Sequence, residues 1–419
     1  MFDLVSAQKV LEGRSGQLEF TRTNEFQAIA AEGAALEPTV IKMERNNSAI
    51  TFGEKMILIF FRRVDAGTNP DLEILRFLTA QKCPFVPLLA GAVEYRVGRE
   101  EANTLAVLTS FVPKARSGLE YTIDTLGKFY ERLQTLPPEK QTPPLPTARV
   151  SLLAADPLSD LARESIETYI ESARSLGERT AAMHLALATE TENRSFVPEP
   201  FTPHGQRGLF QSLRNLTRQN FLLLTRQAKK LPPEIVPLAQ SVLPLEPEIL
   251  KRFQAIYGRR LDATLIRCHG DFHLGQVLYT GKEFLIIDFE GEPTMSISER
   301  RLKRSPLQDV AGMIRSFHYA SHDGLLKFIE RGTHANEQLA SLLLWSKFWA
   351  RWVSAIYLKS YLQAAQGASF LPTNEADLQM MMDVFLLRTA VYELGYELNH
   401  RPDSVNIPLQ GILELVNPD

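Results

Sequence analysis

The sequence predicts an α+β chain of two lobes, a small β-rich one followed by a large, mostly helical one. Three observations predict it. Short β-like runs separated by turns fill the chain to about residue 112, helical periodicity fills most of the remainder, and one hairpin pattern interrupts the helical part. In order, the β-like runs are Gly16 to Thr21, Thr39 to Met43, Ala49 to Phe52 and Met56 to Phe61, the last two joined by the turn Gly53-Glu54-Lys55. Asn69-Pro70-Asp71 opens a helix over Leu72 to Ala80, with the proline in its first turn. Thr104 to Phe111 reads as a strand leading into Val112-Pro113. Beyond it, the proline-rich stretch from Pro137 to Pro146 reads as a surface loop within the large lobe. Trp345, Trp349 and Trp352 recur as the stripe of a buried helix, and His184 lies on an apolar helix as a core histidine. The lobes are expected at 1–112 and 113–419.

Composition restricts the function classes. The chain has 419 residues and a net charge of −3, and near-neutral charge argues against a dedicated nucleic-acid surface. No apolar run approaches the roughly 20 residues of a membrane span, and no signal peptide is visible at Met1-Phe2-Asp3-Leu4. Two cysteines, Cys83 and Cys268, argue against a disulfide framework, so a cytoplasmic enzyme is expected.

The chemistry is concentrated in His269-Gly270-Asp271-Phe272-His273-Leu274-Gly275-Gln276 and in Ile287-Asp288-Phe289-Glu290. The turn Tyr279-Thr280-Gly281-Lys282 separates them, so a hairpin brings both ends together. An aspartate, an amide five residues later and a second aspartate after a strand form the polar skeleton of phosphoryl transfer in kinase-like folds. That reaction needs positioning and charge neutralisation more than covalent chemistry. Asp271 is the expected base for the acceptor hydroxyl. Gln276 and Asp288 are the expected ligands of Mg2+, with Glu290 as an extra one, and ATP is the expected phosphoryl donor. His-x-Asp-x-His could also belong to a metal hydrolase, but further ligands are scattered; His318 and His322, at i and i+4, lack the glutamate of a zinc motif. His269 and His273 are then structural, orienting the loop by hydrogen bonds.

The residues around this skeleton resemble the maltokinases, including those fused behind trehalose synthase, within the wider aminoglycoside-phosphotransferase-like group. The resemblance rests on the runs Arg267 to Leu278, Ile287 to Pro293 and Glu299 to Gly312, and extends over roughly residues 40 to 419. It implies a bilobal protein-kinase-like fold. It also implies transfer of the ATP γ-phosphate to the anomeric hydroxyl of maltose, giving maltose 1-phosphate for glycogen and α-glucan synthesis, with trehalose synthase as fusion or complex partner. The family's cap carries a Gln-Arg-Trp-Phe-like motif, and nothing like it precedes Gln17-Leu18-Glu19-Phe20. Residues 1–38 are therefore expected as a shortened cap, or the chain as a piece of a longer fusion.

For the nucleotide, kinases place a lysine on the third strand, paired with a glutamate on the next helix. Here Ile59 stands at that position while Glu73 remains as the helix partner, so Glu73 is expected to have lost its salt bridge. Lys42 or Lys55 could reach in, Arg62 or Arg63 could substitute, or nucleotide affinity is reduced. On a strand, Arg63 lies about 13 Å from Ile59, too far for a simple exchange, and Lys42 is the better candidate. The turn at Asn46, Asn47 and Ser48 corresponds to the phosphate-covering turn, and Thr109 to Pro113, with Val112, to the hinge that binds adenine. The sugar subsite is expected near Tyr392, Glu393, Tyr396 and Glu397, where aromatic rings would cover a glucose face and carboxylates accept from hydroxyls. The helix is equally readable as amphipathic, with core tyrosines. Arg301 and Asp309 are expected to tie the segment after the metal aspartate to the following helix, and Asp309 is also expected to approach the sugar. Two alternatives remain: a degenerate kinase that binds sugar or a partner enzyme without turnover, and a kinase for another small hydroxylated or amino compound.

Overall fold

The structure is a computed structural model and describes residues 1–30, 36–41, 47–134, 142–332 and 336–417. In chain order its first part is α1 (Phe2–Ser6), β1 (Val10–Glu12), β2 (Gln17–Arg22), α2 (Phe26–Ala30), β3 (Pro38–Ile41), β4 (Asn47–Phe52), β5 (Met56–Phe61), α3 (Pro70–Ala80), β6 (Leu89–Arg96), β7 (Asn103–Ser110) and β8 (Arg116–Ser117). Then follow α4 (Gly118–Leu133), α5 (Val150–Ala155), α6 (Asp160–Ile166), α7 (Tyr169–Leu187), β9 (Glu199–Pro200), α8 (Pro203–Gln227), α9 (Val236–Val242), α10 (Glu246–Gln254) and β10 (Thr264–Leu265). The last part is β11 (Val277–Tyr279), β12 (Phe284–Ile286), α11 (Ile297–Arg300), α12 (Leu307–Glu330), α13 (Asn336–Ala364), α14 (Glu375–His400) and α15 (Asn406–Val416). Two compact units result. One holds Met1–Gly118 together with His269–Asp271 and Gly275–Leu302; the other holds Leu119–Cys268, Phe272–Leu274 and Lys303–Asp419.

The first unit is built on an antiparallel sheet in the order β1-β2-β6-β7-β5-β4-β3. Alternation along β5 sends Met56 and Leu58 into a core with Phe20, Phe52, Val93 and Leu108, covered by Val5 of α1 and Phe26 of α2. Ile59 takes the opposite parity and lies between Ala49 of β4 and Val107 of β7 in the ladder. The position expected of a lysine is thus flanked across the ladder by apolar residues. α3 begins where Asn69 caps it: the side-chain oxygen of Asn69 accepts from the Asp71 N–H at 2.9 Å, and Pro70 needs no partner for a missing donor. β6 was not among the strand patterns read from the sequence. Leu89-Ala90-Gly91-Ala92-Val93 is buried throughout, so it shows no polar alternation. The hairpin forms as expected, with Val277 opposite Ile286 and Tyr279 opposite Phe284, and Gly281 supplies φ +94° in its turn.

The second unit is a layer of long helices. α13 lies along α7, and α12 packs on α13 and α14. Trp345, Trp349 and Trp352 are 1%, 1% and 7% exposed, so the tryptophan stripe is core, with Trp349 4.9 Å from the Tyr169 ring. A Cβ on Gly177 would fall 2.4 Å from the Tyr357 carbonyl oxygen, which is the contact that lets α7 and α13 approach closely. Besides the helices, β9 and β10 form a two-residue antiparallel pair. Among the described residues no helix is long and apolar enough to cross a membrane.

Candidate active site

His269 fixes the loop that carries Asp271 to the hairpin. Its Nε2–H donates to the Ile287 carbonyl at 3.0 Å, and its Nδ1 accepts from the Asp271 N–H at 3.4 Å. One tautomer satisfies both bonds, so this buried ring places Asp271 beside the strand end that carries Asp288. The structural role expected of His269 is what the structure gives it. Gly270 turns the chain at φ +86°. Past Asp271 the loop enters the second unit, where the Leu274 N–H donates to Ser316 Oγ at 3.0 Å, and a Cβ on Gly312 would fall 2.6 Å from the Phe272 carbonyl oxygen.

Asp288 itself has φ +66°, a left-handed conformation that costs a non-glycine residue about 1 kcal/mol or more. Its neighbours hold that geometry. The Phe289 N–H donates to Asp71 Oδ1 at 2.8 Å, and the Ile287 N–H donates to the Gln276 carbonyl at 3.0 Å. Glu290 is clamped by two amides, Asn47 Nδ2 at 2.8 Å and Asn69 Nδ2 at 3.4 Å. Arg300, buried, donates through Nη1 to the Glu290 carbonyl at 3.1 Å and through Nη2 to Asp65.

Three carboxylates therefore crowd one place. Burial first, then the charges of Asp288 and Glu290, push the Asp71 carboxyl up to about 8, against the pull of the Phe289 N–H. Burial and the Asp288 charge likewise raise Glu290, against Asn47, Asn69 and Arg300. A divalent cation would relieve this repulsion, and the Asp288 and Glu290 carboxylates are oxygens of the kind Mg2+ prefers, while Gln276, the third expected ligand, is buried and meets the strand end through its backbone carbonyl. Among the described residues no three His, Cys, Asp or Glu side chains form a ready metal cage. Mg2+ is compatible with that, because it keeps waters and shares its coordination with phosphate oxygens.

The other expected nucleotide residues fall as follows. Asn47 opens β4 and engages Glu290, so one residue of the expected phosphate turn and one of the expected metal ligands meet. Ser48 Oγ accepts from Arg62 Nε at 3.0 Å. Asn46 and Lys42 lie outside the described residues. Lys55 is exposed in the β4–β5 turn, and its carbonyl accepts the Phe111 N–H at 2.7 Å. Thr109 is buried in β7, and the Val112 carbonyl accepts from the Ala115 N–H at 3.4 Å. Arg63 pairs with Asp65 at 3.3 Å.

Glu73 corrects an expectation: it has not lost its salt bridge. Its carboxylate holds the Arg301 guanidinium, with Nε at 3.1 Å and Nη2 at 3.3 Å, and Arg301 also binds Glu101 at 2.9 Å. The expected tie from Arg301 runs to α3, and Asp309 takes another partner. In the second unit Asp309, 2% exposed, accepts from His184 Nε2 at 3.1 Å, while His184 Nδ1 meets the Tyr361 hydroxyl at 3.0 Å. His184 is thus a satisfied core histidine. The sugar candidates lie on α14. Glu393 is bound by Arg315, Nη2 at 2.7 Å and Nε at 2.9 Å; burial raises its carboxyl and Arg315 opposes that. Tyr396, 43% exposed, stacks on His400 with centroids 4.5 Å apart and has the Arg401 guanidinium 5.8 Å from its ring. Glu397 holds Arg401 at 2.6 Å, and Tyr392 is half-buried. Sequence reading missed Asp71, Asn69 and Arg300 as parts of this site. The only signal for them was the capping pattern at Asn69-Pro70-Asp71 and the doubled arginine at 300–301.

No family model matches the chain. It is similar to a glucosamine kinase of Mycolicibacterium smegmatis, 43% identical over 282 residues that take in 67% of this chain and 58% of that protein. It is also similar to a glucosamine kinase of Streptacidiphilus jiangxiensis, 28% identical over 176 residues, 40% of this chain and 34% of that protein. The chain thus spans about a third to somewhat over half the length of these curated relatives. Among solved structures, a glucosamine kinase in complex with glucosamine, ADP and inorganic phosphate superposes with a TM-score of 0.66 at 18% identity, covering 99% of this chain and 82% of that one. Crystal form A of a glucosamine kinase gives 0.67 at 16% identity, covering 99% and 81%. The chain therefore has the α+β, bilobal kinase-like fold, with a small antiparallel-sheet lobe and a larger, mostly helical one.

Proposed function

We propose that the chain is an ATP- and Mg2+-dependent sugar kinase of the aminoglycoside-phosphotransferase-like group. The observation that carries this reading is the pinning of Asp271 and Asp288 through the single ring of His269, beside a carboxylate pair whose mutual repulsion asks for a cation. In this reading Asp271 accepts the proton of the acceptor hydroxyl, while Asp288, Glu290 and Gln276 hold Mg2+. The metal supplies charge neutralisation on the phosphates. Arg300 and the amides of Asn47 and Asn69 keep Glu290 aimed, so that little reorganisation remains at the moment of transfer.

Glucosamine is the first acceptor to test, because the glucosamine kinases of M. smegmatis and S. jiangxiensis, to which the chain is similar, carry that name. Maltose, phosphorylated at its anomeric hydroxyl, is the second, on the resemblance of the runs Arg267 to Leu278 and Glu299 to Gly312 to maltokinases. Binding without turnover is the third reading, and Ile59 between Ala49 and Val107 favours it, since no strand lysine faces the phosphates from there. Purified protein with ATP, Mg2+ and each sugar, followed by phosphorus NMR, separates them. We expect a phosphate ester on glucosamine that falls by about 10²–10⁴ in rate in Asp271→Asn, the usual contribution of a positioned base. An anomeric phosphate on maltose alone would establish the second reading. ATP binding without product on any sugar would overturn turnover altogether.

A further inference from the structure

The helical unit contains a cleft that none of these assignments uses. The segment before α5 and the helices α12, α13, α14 and α15 wall it, with a volume of about 660 Å³ counting space open to solvent. Its apolar wall includes Leu153, Ile314, Leu386 and Leu415. Three arginines reach it, and their pairing does not balance. Arg149 is taken by Asp383, and Arg315 by Glu393. Lys347, close by, is taken by Glu414 at 3.5 Å. Arg351 remains: its guanidinium donates to the backbone carbonyl of Pro146, and among the described residues no carboxylate pairs with it. On the same wall, burial and the charges of Arg315, Arg351 and Lys347 hold the His318 imidazole well below its ordinary value. That is what a surplus of positive charge in a partly dry cleft does to a neighbouring base. Arg315 is accommodated by α15, because a Cβ on Gly411 would fall 2.3 Å from its Nη1.

A cation in apolar surroundings without a counterion is costly, and an anion that brings several oxygens to planar guanidinium forks offsets that cost. We propose that this cleft binds a small phosphate-type oxyanion, either inorganic phosphate or the phosphate of a sugar phosphate, with Arg351 as its principal contact. Every lining residue belongs to the helical unit, whereas Asp271, Gln276, Asp288 and Glu290 belong to the other. The inference is therefore independent of the proposed activity. A dianion there would also place its charge beside His318 and favour uptake of a proton on that ring.

The test is calorimetric titration of the purified chain, in phosphate-free buffer, with inorganic phosphate in one arm and glucose 6-phosphate in the other. Arg351→Ala and Arg351→Lys report on the cleft, and Asp288→Asn reports on phosphate held at the nucleotide residues. We expect one binding event, weakened roughly tenfold or more by Arg351→Ala, partly restored in Arg351→Lys and unchanged in Asp288→Asn. Tighter binding of the ester than of phosphate would name a sugar phosphate as the ligand, and the reverse order would name the free ion. Absence of binding in both arms overturns the proposal, as does binding that Arg351→Ala leaves unchanged or that only Asp288→Asn removes. Should Arg351→Ala unfold, the comparison rests on Arg351→Lys and on His318→Gln, which removes the proton acceptor and should abolish proton uptake on binding.

Discussion

Glu73 and Arg301 show how one substitution on a strand is absorbed by a side chain from elsewhere. With isoleucine at 59, the helix carboxylate takes Arg301, from the segment that follows Asp288 and Glu290, and the same guanidinium reaches Glu101. Glu73 is largely enclosed, so it cannot simply turn to water. Arg301→Ala should therefore cost about 1–2 kcal/mol, less than a buried pair would because Arg301 is partly solvated. Most of that loss should return in the double variant with Glu73→Gln, since a neutral amide no longer needs a cation. Urea unfolding of the two single variants and the double variant measures it; additive losses would mean that the pair contributes nothing. Asp288 is the second instructive residue. Its left-handed backbone follows from no local pattern, and it is maintained by Asp71 and Gln276 on either side.

Among the elements, α7 and α13 are packed through a glycine. Gly177→Ala puts a methyl 2.4 Å from the Tyr357 carbonyl oxygen and 2.9 Å from Ser360 Cβ, so the helices must separate. Overpacking of this kind costs about 1–3 kcal/mol, more than the roughly 1 kcal/mol that alanine gains over glycine in a helix. Gly127→Ala in α4 is the control, since nothing lies within 4 Å of its Cβ position and the propensity gain should appear alone. Thermal unfolding should therefore move down for Gly177→Ala and up for Gly127→Ala; a shift of the same sign in both would remove packing as the explanation. The elements most readable in the sequence were those with local signals. α3 is announced by its cap and proline, β5 by a run of β-prone residues after the turn Gly53-Glu54-Lys55, and the hairpin by its turn. β6 was not readable, because a strand buried throughout by alanine, glycine and valine carries no periodicity.

For the whole molecule, the positive cleft in the helical unit ties stability to pH. His318 is held neutral in the folded chain, below its ordinary value of 6.5, while the unfolded chain takes up a proton near that value. Acidification through and below about 6.5 therefore favours the unfolded state, and this contribution is complete at higher pH. Urea midpoints should fall between pH 7.5 and 5.5 in phosphate-free buffer, and His318→Gln should flatten the fall; an equal slope in both would place the sensitivity elsewhere. The acid side of the balance is carried by Asp383, Glu393 and Glu414, each already engaged by a cation.

What the sequence by itself determined is whatever depends on neighbours in the chain. The two-lobed α+β class, the capped start of α3, the hairpin and the spacing of Asp271, Gln276 and Asp288 all follow from short-range periodicity and turn chemistry. Tertiary structure alone decided the partners. Asn47 and Glu290 are 243 residues apart, Asn69 and Glu290 221, and Glu73 and Arg301 228. Sequence spacing carries no information about such pairs, because burial forces each enclosed charge to find whichever polar group the fold brings near it, and Arg351 finds the Pro146 carbonyl.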